Sequence, residues 1–189
     1  GHGDSKGTSS NAIESYSKFL IECLESYDFN KLSLCGHSMG GLIALEMAMQ
    51  KNFSVQSIIL VNSIYPTRVA EPLLAKAKAS NGGAADFIIK YGLYKRLLGI
   101  KNAFSEEDDL VMLDDLEACN SYQLDLNVIK DLEIPISIIL GSKDKLVDLK
   151  AVESFANTVP CKTHTVEEAG HFLFFEQPNE LSKLIAQLA

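Results

Sequence analysis

Gly36-His37-Ser38-Met39-Gly40 sets a serine between two glycines, at the point where the short apolar stretch Leu32 to Cys35 passes into a Leu-, Ala- and Met-rich one, Leu42 to Met49. A chain turning sharply from strand to helix strains its corner residue, and glycines two positions to either side remove side chains that would collide there. The corner side chain then projects past the strand, beside the free N–H groups of a helix N-terminus, which stabilise an oxyanion. The backbone N–H of Met39 is the expected donor. A serine hydroxyl is a weak nucleophile near neutral pH, so it needs a base, and the base needs an acid to orient it.

Of the four histidines, His2, His37 and His164 fit plain roles as a terminal loop residue, a neighbour of the serine and a strand-surface residue. His171 differs, because it lies in the loop "EEAGHFLFFEQPNE" between a final strand and a helix opened by Pro178 and Glu180. Gly170 frees its backbone, and Phe172, Phe174 and Phe175 are expected to wall it from water. Asp144 ends the run "IPISIILGSKD", a buried strand followed by a turn, whereas Asp148 reads as the N-cap of the next helix. Each of these residues alone has an ordinary explanation as a turn or packing residue. Their conjunction, each just past a buried strand in the chain order Ser, Asp, His, points to nucleophilic attack on a carbonyl.

The elements that must position them are four strands, near Leu32 to Cys35, Val55 to Asn62, Ile134 to Leu140 and Thr163 to Glu167, with helices between them. That alternation predicts a mostly parallel sheet flanked by helices. A first helix is expected with Asn11 as cap and Ile13, Tyr16, Phe19, Leu20, Cys23 and Leu24 as its apolar face. Leu181, Leu184, Ile185 and Leu188 mark a last one. Residues 66–130 are too many for an ordinary connection. Phe87, Ile88, Tyr91, Tyr94, Leu97 and Leu98 form one apolar face there, Gly82-Gly83 a helix-helix turn, and Ser105 with Asp108 the start of a helix carrying Leu110, Val111, Leu113 and Leu116.

The stretches "GHGDS" (1–5), "LCGHSMGG" (34–41), "IILGSKDKLV" (138–147) and "EEAGHFLFFEQP" (167–178) together resemble the serine-hydrolase, esterase- and lipase-like branch of the α/β-hydrolase superfamily. The resemblance runs from end to end and implies an α/β fold: the C-terminal part of an α/β-hydrolase, with core residues 1–65 and 131–189 and a helical cap over 66–130. It implies Ser38, Asp144 and His171 as catalytic residues, Gly36, His37 and Gly40 as the nucleophile elbow, and hydrolysis of carboxylic esters, or of thioesters and related acyl substrates, through an acyl-enzyme with no cofactor or metal. It also exposes a departure. Members have strands ahead of the point where this chain starts, and a loop there gives the second oxyanion donor, which this chain does not contain. Without those strands Leu32 to Cys35 would be an open edge, suited to self-association or to pairing with an upstream segment.

A net charge of −8 and a pI near 5.0 argue against a nucleic-acid surface, since the 17 Lys and Arg residues are scattered. No apolar run is long enough to span a bilayer. Cys23, Cys35, Cys119 and Cys161 show no metal-ligand spacing and are expected as reduced core thiols of a cytoplasmic protein. The alternative is a noncatalytic module of the same fold that binds a ligand or partner. A nucleotide-binding domain fits poorly, because neither Gly-rich phosphate motif occurs.

Overall fold

The computed structural model describes residues 1–29, 31–95, 97 and 108–189. Among these, four strands, β1 (Leu32–His37), β2 (Val55–Val61), β3 (Ile136–Gly141) and β4 (Cys161–Val166), form one parallel sheet in the order β1-β2-β3-β4. Parallel neighbours need crossovers, and helices supply them: α2 (Met39–Gln50) between β1 and β2, and α7 (Leu149–Thr158) between β3 and β4. The β2–β3 connection carries α3 (Glu71–Ala79), α4 (Gly83–Gly92), α5 (Asp108–Ser121) and α6 (Leu126–Asp131). Helix α1 (Ile13–Leu24) precedes the sheet, and α8 (Leu173–Glu176) and α9 (Pro178–Leu188) follow it.

The central strands are apolar over Ile58–Val61 and Ile138–Leu140, where both of their faces are covered. Alternate residues go to opposite sides. Ile58, Leu60, Ile138 and Leu140 pack with α1, α2 and α7, while Ile59, Val61 and Ile139 pack with Leu173 and Leu181 of α8 and α9. Helix α9 therefore docks by the stripe expected for it, with Leu184, Ile185 and Leu188 partly buried beside Leu181. Helix α2 is buried on nearly every side, Gly41 through Ala48. Asp148 caps α7, its side chain accepting from Lys150 N.

The structure corrects several local expectations. Asn11 does not cap α1: Ala12 is the N-cap residue and no side chain caps the helix. The buried face of α1 is Ile13, Ser17 and Ile21, with Tyr16 and Leu24 partly buried, so a ridge at spacing four meets α2. Phe19 and Leu20 are 61% and 40% exposed, on the outer side. Strand β1 is an edge of the sheet, with a groove of about 410 Å³ beside it, lined by Leu20, Cys23, Leu24, Cys35 and residues of α2. Cys23 and Cys35 are consequently exposed rather than core thiols; Cys119 is buried and Cys161 intermediate, and all four are unpaired.

Helices α3, α4 and α5 form a satellite layer in which Leu73, Ala77 and Ala84 meet Phe87, Ile88, Leu113 and Leu116. Gly82, at φ 74°, makes the α3–α4 turn. Leu110 is 65% exposed and Tyr94 42%, so neither belongs to the apolar contact expected of it. Leu98 and Ser105 lie outside the described residues. Among the described residues no helix is long and apolar enough to cross a membrane.

Candidate active site

All four strands deliver a residue of interest at their C-terminal ends, the edge where open parallel sheets place their sites. At the end of β1, Ser38 has φ 51° and ψ −121°, the positive-φ strain of a strand-to-helix elbow. Both of its backbone groups are fastened. Ser38 N–H donates to Val61 O (3.0 Å), and Ser38 O accepts from the Ser63 hydroxyl (2.6 Å) and from Gly41 N–H (3.0 Å). A Cβ on Gly36 would run into the Gly40 carbonyl, as the elbow requires. Gly40 departs from expectation, because a Cβ there meets nothing within 4 Å. The second close approach belongs to Gly41, whose Cβ would strike the Ser63 side chain.

At the end of β3, Asp144 Oδ1 accepts from Leu146 N–H (2.7 Å) and Val147 N–H (3.3 Å), which leaves Oδ2 to His171 Nδ1 at 2.8 Å. The two side chains are only 4% and 8% exposed. Since a carboxylate oxygen accepts, Nδ1 carries the hydrogen, and in that tautomer the lone pair is at Nε2. The structure thus joins Asp144 to His171 as the sequence predicts. His37, the residue before Ser38, joins the end of β1 to this pair: its Nε2–H donates to His171 O (2.8 Å) and its ring lies 4.7 Å from that of His171. The Ser38 hydroxyl itself makes no hydrogen bond to His171. Burial first, and then the nearness of His171, lower His37 to about 4, so it is neutral at physiological pH. Phe172 is buried and sets its edge against His171, but Phe174 and Phe175 are 40% and 45% exposed and do not wall it in. His2 instead bonds Asp115 of α5 (2.7 Å), and His164 lies in β4.

Two residues that organise this edge were not singled out from the sequence. Asn62, at the end of β2 with φ 43° and 1% exposure, donates from Nδ2 to Gly170 O (3.0 Å) and His171 O (2.7 Å) and accepts from Gly141 N–H (2.8 Å). It ties β2, β3 and the histidine loop together. Glu176 accepts from Gly170 N–H (2.7 Å) with one oxygen, and from Tyr94 N–H (2.8 Å) and Lys95 N–H (2.9 Å) with the other. Because His171 N–H also donates to Gly92 O (2.6 Å), the segment after α4 is latched to the loop bearing His171. The only sequence signal for Asn62 is a polar residue closing a buried apolar strand. Among the described residues no group of three or more His, Cys, Asp or Glu side chains could hold a metal ion.

A parallel sheet with a strained serine elbow after β1 and a His–Asp pair at the ends of β3 and β4 defines an α/β-hydrolase. Residues 1–184 match the model of the Alpha/beta hydrolase family, and the chain belongs to that family. It is 24% identical to 3-oxoadipate enol-lactonase 1 of Acinetobacter baylyi, over 98% of this chain and 74% of the relative. Among solved structures, a thermophilic esterase superposes with TM-score 0.85 at 23% identity, covering 98% of this chain and 76% of that one. The enol-lactonase from Burkholderia xenovorans LB400 does so with TM-score 0.83 at 18% identity, covering 99% and 76%. These likenesses establish the fold, and the relatives' names support hydrolase activity in general.

Proposed function

We propose that this chain is a serine hydrolase of carboxylic esters working through an acyl-enzyme. The observation that carries the reading is the buried His171 Nδ1–Asp144 Oδ2 contact of 2.8 Å at the same sheet edge as the strained Ser38. His171 Nε2 takes the Ser38 proton as the oxygen attacks the ester carbonyl; Asp144 holds the ring and stabilises the imidazolium. The Met39 N–H, at the first helical position of α2 where no residue four back can bond it, receives the oxyanion. His171 then protonates the leaving alcohol, and water repeats the sequence on the acyl-enzyme. Relatives named esterase and enol-lactonase favour an ester carbonyl, a lactone being a cyclic ester. In this reading residues 1–65 and 131–189 are the catalytic core and 66–130 the cap that shapes the acyl pocket. The four unpaired thiols support a reducing, cytoplasmic setting.

Intact-mass analysis after treatment with a fluorophosphonate tests the reading, with Ser38→Ala as control and circular dichroism to show that both proteins are folded. One probe-sized mass gain, absent from the variant, is the expected result. A folded wild-type protein that takes up no probe overturns the assignment.

A further inference from the structure

Beside the His–Asp pair is a small recess of about 50 Å³, lined by Asn62, Ser63, Thr67, Arg68, Leu146 and His171 among others. It shares Thr67, Arg68 and Leu146 with a larger cavity of about 210 Å³ that reaches under α3, α4 and α5 to Leu73, Phe87, Tyr91 and Leu116. The larger cavity is apolar along its length and has two cations on its lining, Arg68 and Lys145. Both come from loops at the C-terminal ends of strands, Arg68 after β2 and Lys145 directly after Asp144. Neither makes an ion pair or a hydrogen bond among the described residues, in a chain of net charge −8 with only two arginines.

We infer that the cavity takes an ester whose acyl chain is apolar and ends in a carboxylate, with Arg68 and Lys145 holding that carboxylate at the mouth. The inference rests on the reading above, that Ser38 attacks an ester carbonyl. An apolar channel alone would serve any short acyl chain. The unpaired cations add a reason to prefer an anion, and a guanidinium is the side chain best shaped to grip a carboxylate with two parallel bonds. Arg68 lines both the recess beside His171 and the larger cavity, so a carboxylate held on it stands where the two meet.

Two chromophoric esters of equal chain length test this: 4-nitrophenyl hexanoate and mono(4-nitrophenyl) adipate, which differ in the terminal carboxylate. The wild-type protein is expected to prefer the adipate ester in kcat/KM, chiefly through KM, with the preference shrinking as salt is raised. Arg68→Gln is expected to lower the adipate-to-hexanoate ratio by about tenfold, and Lys145→Gln by less. The same comparison by equilibrium dialysis on Ser38→Ala protein reads binding without turnover. Tighter retention of the adipate ester, lost in the Ser38→Ala, Arg68→Gln double variant, supports the inference even where neither ester is hydrolysed, an outcome that would count against the proposed hydrolysis alone. Equal retention of the two esters, or a ratio that Arg68→Gln leaves unaltered, overturns it.

Discussion

His37 and His171 meet through a ring nitrogen and a main-chain oxygen: Nε2–H of the first donates to the carbonyl of the second at 2.8 Å. The residue before the serine therefore holds the loop that carries the proposed base, and only a neutral or cationic imidazole with hydrogen on Nε2 can do so. Burial lowers His37 from 6.5 to about 4. Between those values the unfolded chain binds the proton and the folded chain does not, so stability rises with pH across the window. The contribution is complete above pH 6.5 and is lost as pH falls toward 4. His37→Gln keeps a donor for His171 O and removes the titration. Urea unfolding between pH 7 and pH 5 is expected to show wild type losing up to about 2 kcal/mol more than the variant. Parallel curves would place the origin of any acid sensitivity elsewhere.

Asp144→Asn tests the orientation of His171. The amide oxygen can still accept from Leu146 and Val147, while its NH2 faces Nδ1 and turns the ring to the tautomer with hydrogen on Nε2. In the proposed reaction that atom must accept the serine proton. The second-order rate of fluorophosphonate labelling is expected to fall by about a thousand- to ten-thousandfold with the fold intact. Labelling at the wild-type rate would show that the pair does not activate the serine.

Asn62 serves two carbonyls and one amide at a site 1% exposed. Asn62→Asp replaces the donor with a carboxylate facing the oxygens of Gly170 and His171. Leaving those acceptors unserved and repelled is expected to cost about 3 kcal/mol or more, read as a fall in the urea midpoint. A midpoint equal to wild type would mean that the loop finds other donors.

Glu176 accepts three amides from two segments. In Glu176→Gln one end of the side chain becomes a donor that opposes an N–H, so one side of the latch opens. Amide hydrogen exchange at Gly170, or at Tyr94 and Lys95, is expected to quicken by about tenfold or more, with exchange in β3 unaltered. Uniform protection across all three amides would show that the latch is held by His171 N–H and Gly92 O instead.

The candidate residues Ser38, Asp144 and His171 stand out in the sequence because their side-chain types coincide with short-range signals: a glycine-framed turn and residues just past apolar runs. The sheet was legible for the same reason, since β2 and β3 are apolar on both faces. Asn62, Ser63 and Glu176 were not, because they act on backbone groups of residues distant in sequence, and side-chain type does not disclose which amide or carbonyl folding will bring near. The face of α1 was misread on different grounds. The helix carries apolar residues on two stripes, and only packing decides that Ile13, Ser17 and Ile21 dock on α2 while Phe19 and Leu20 face outward.

The glycines after Ser38 separate what the local pattern suggests from what packing requires. Gly40 occupies the patterned position two residues past the serine, yet a Cβ there has open space, whereas a Cβ on Gly41 would overlap Ser63 Oγ and Cβ. That hydroxyl holds Ser38 O at 2.6 Å, so displacing Ser63 releases one fastening of the strained elbow. Gly40→Ala is expected to keep the wild-type melting temperature or raise it, since alanine is favoured over glycine in a helix by about 1 kcal/mol. Gly41→Ala is expected to lower stability by about 1–3 kcal/mol through overpacking and to slow labelling of Ser38. Thermal unfolding of the two variants side by side checks the contrast. A larger loss in Gly40→Ala would return the steric requirement to the patterned glycine.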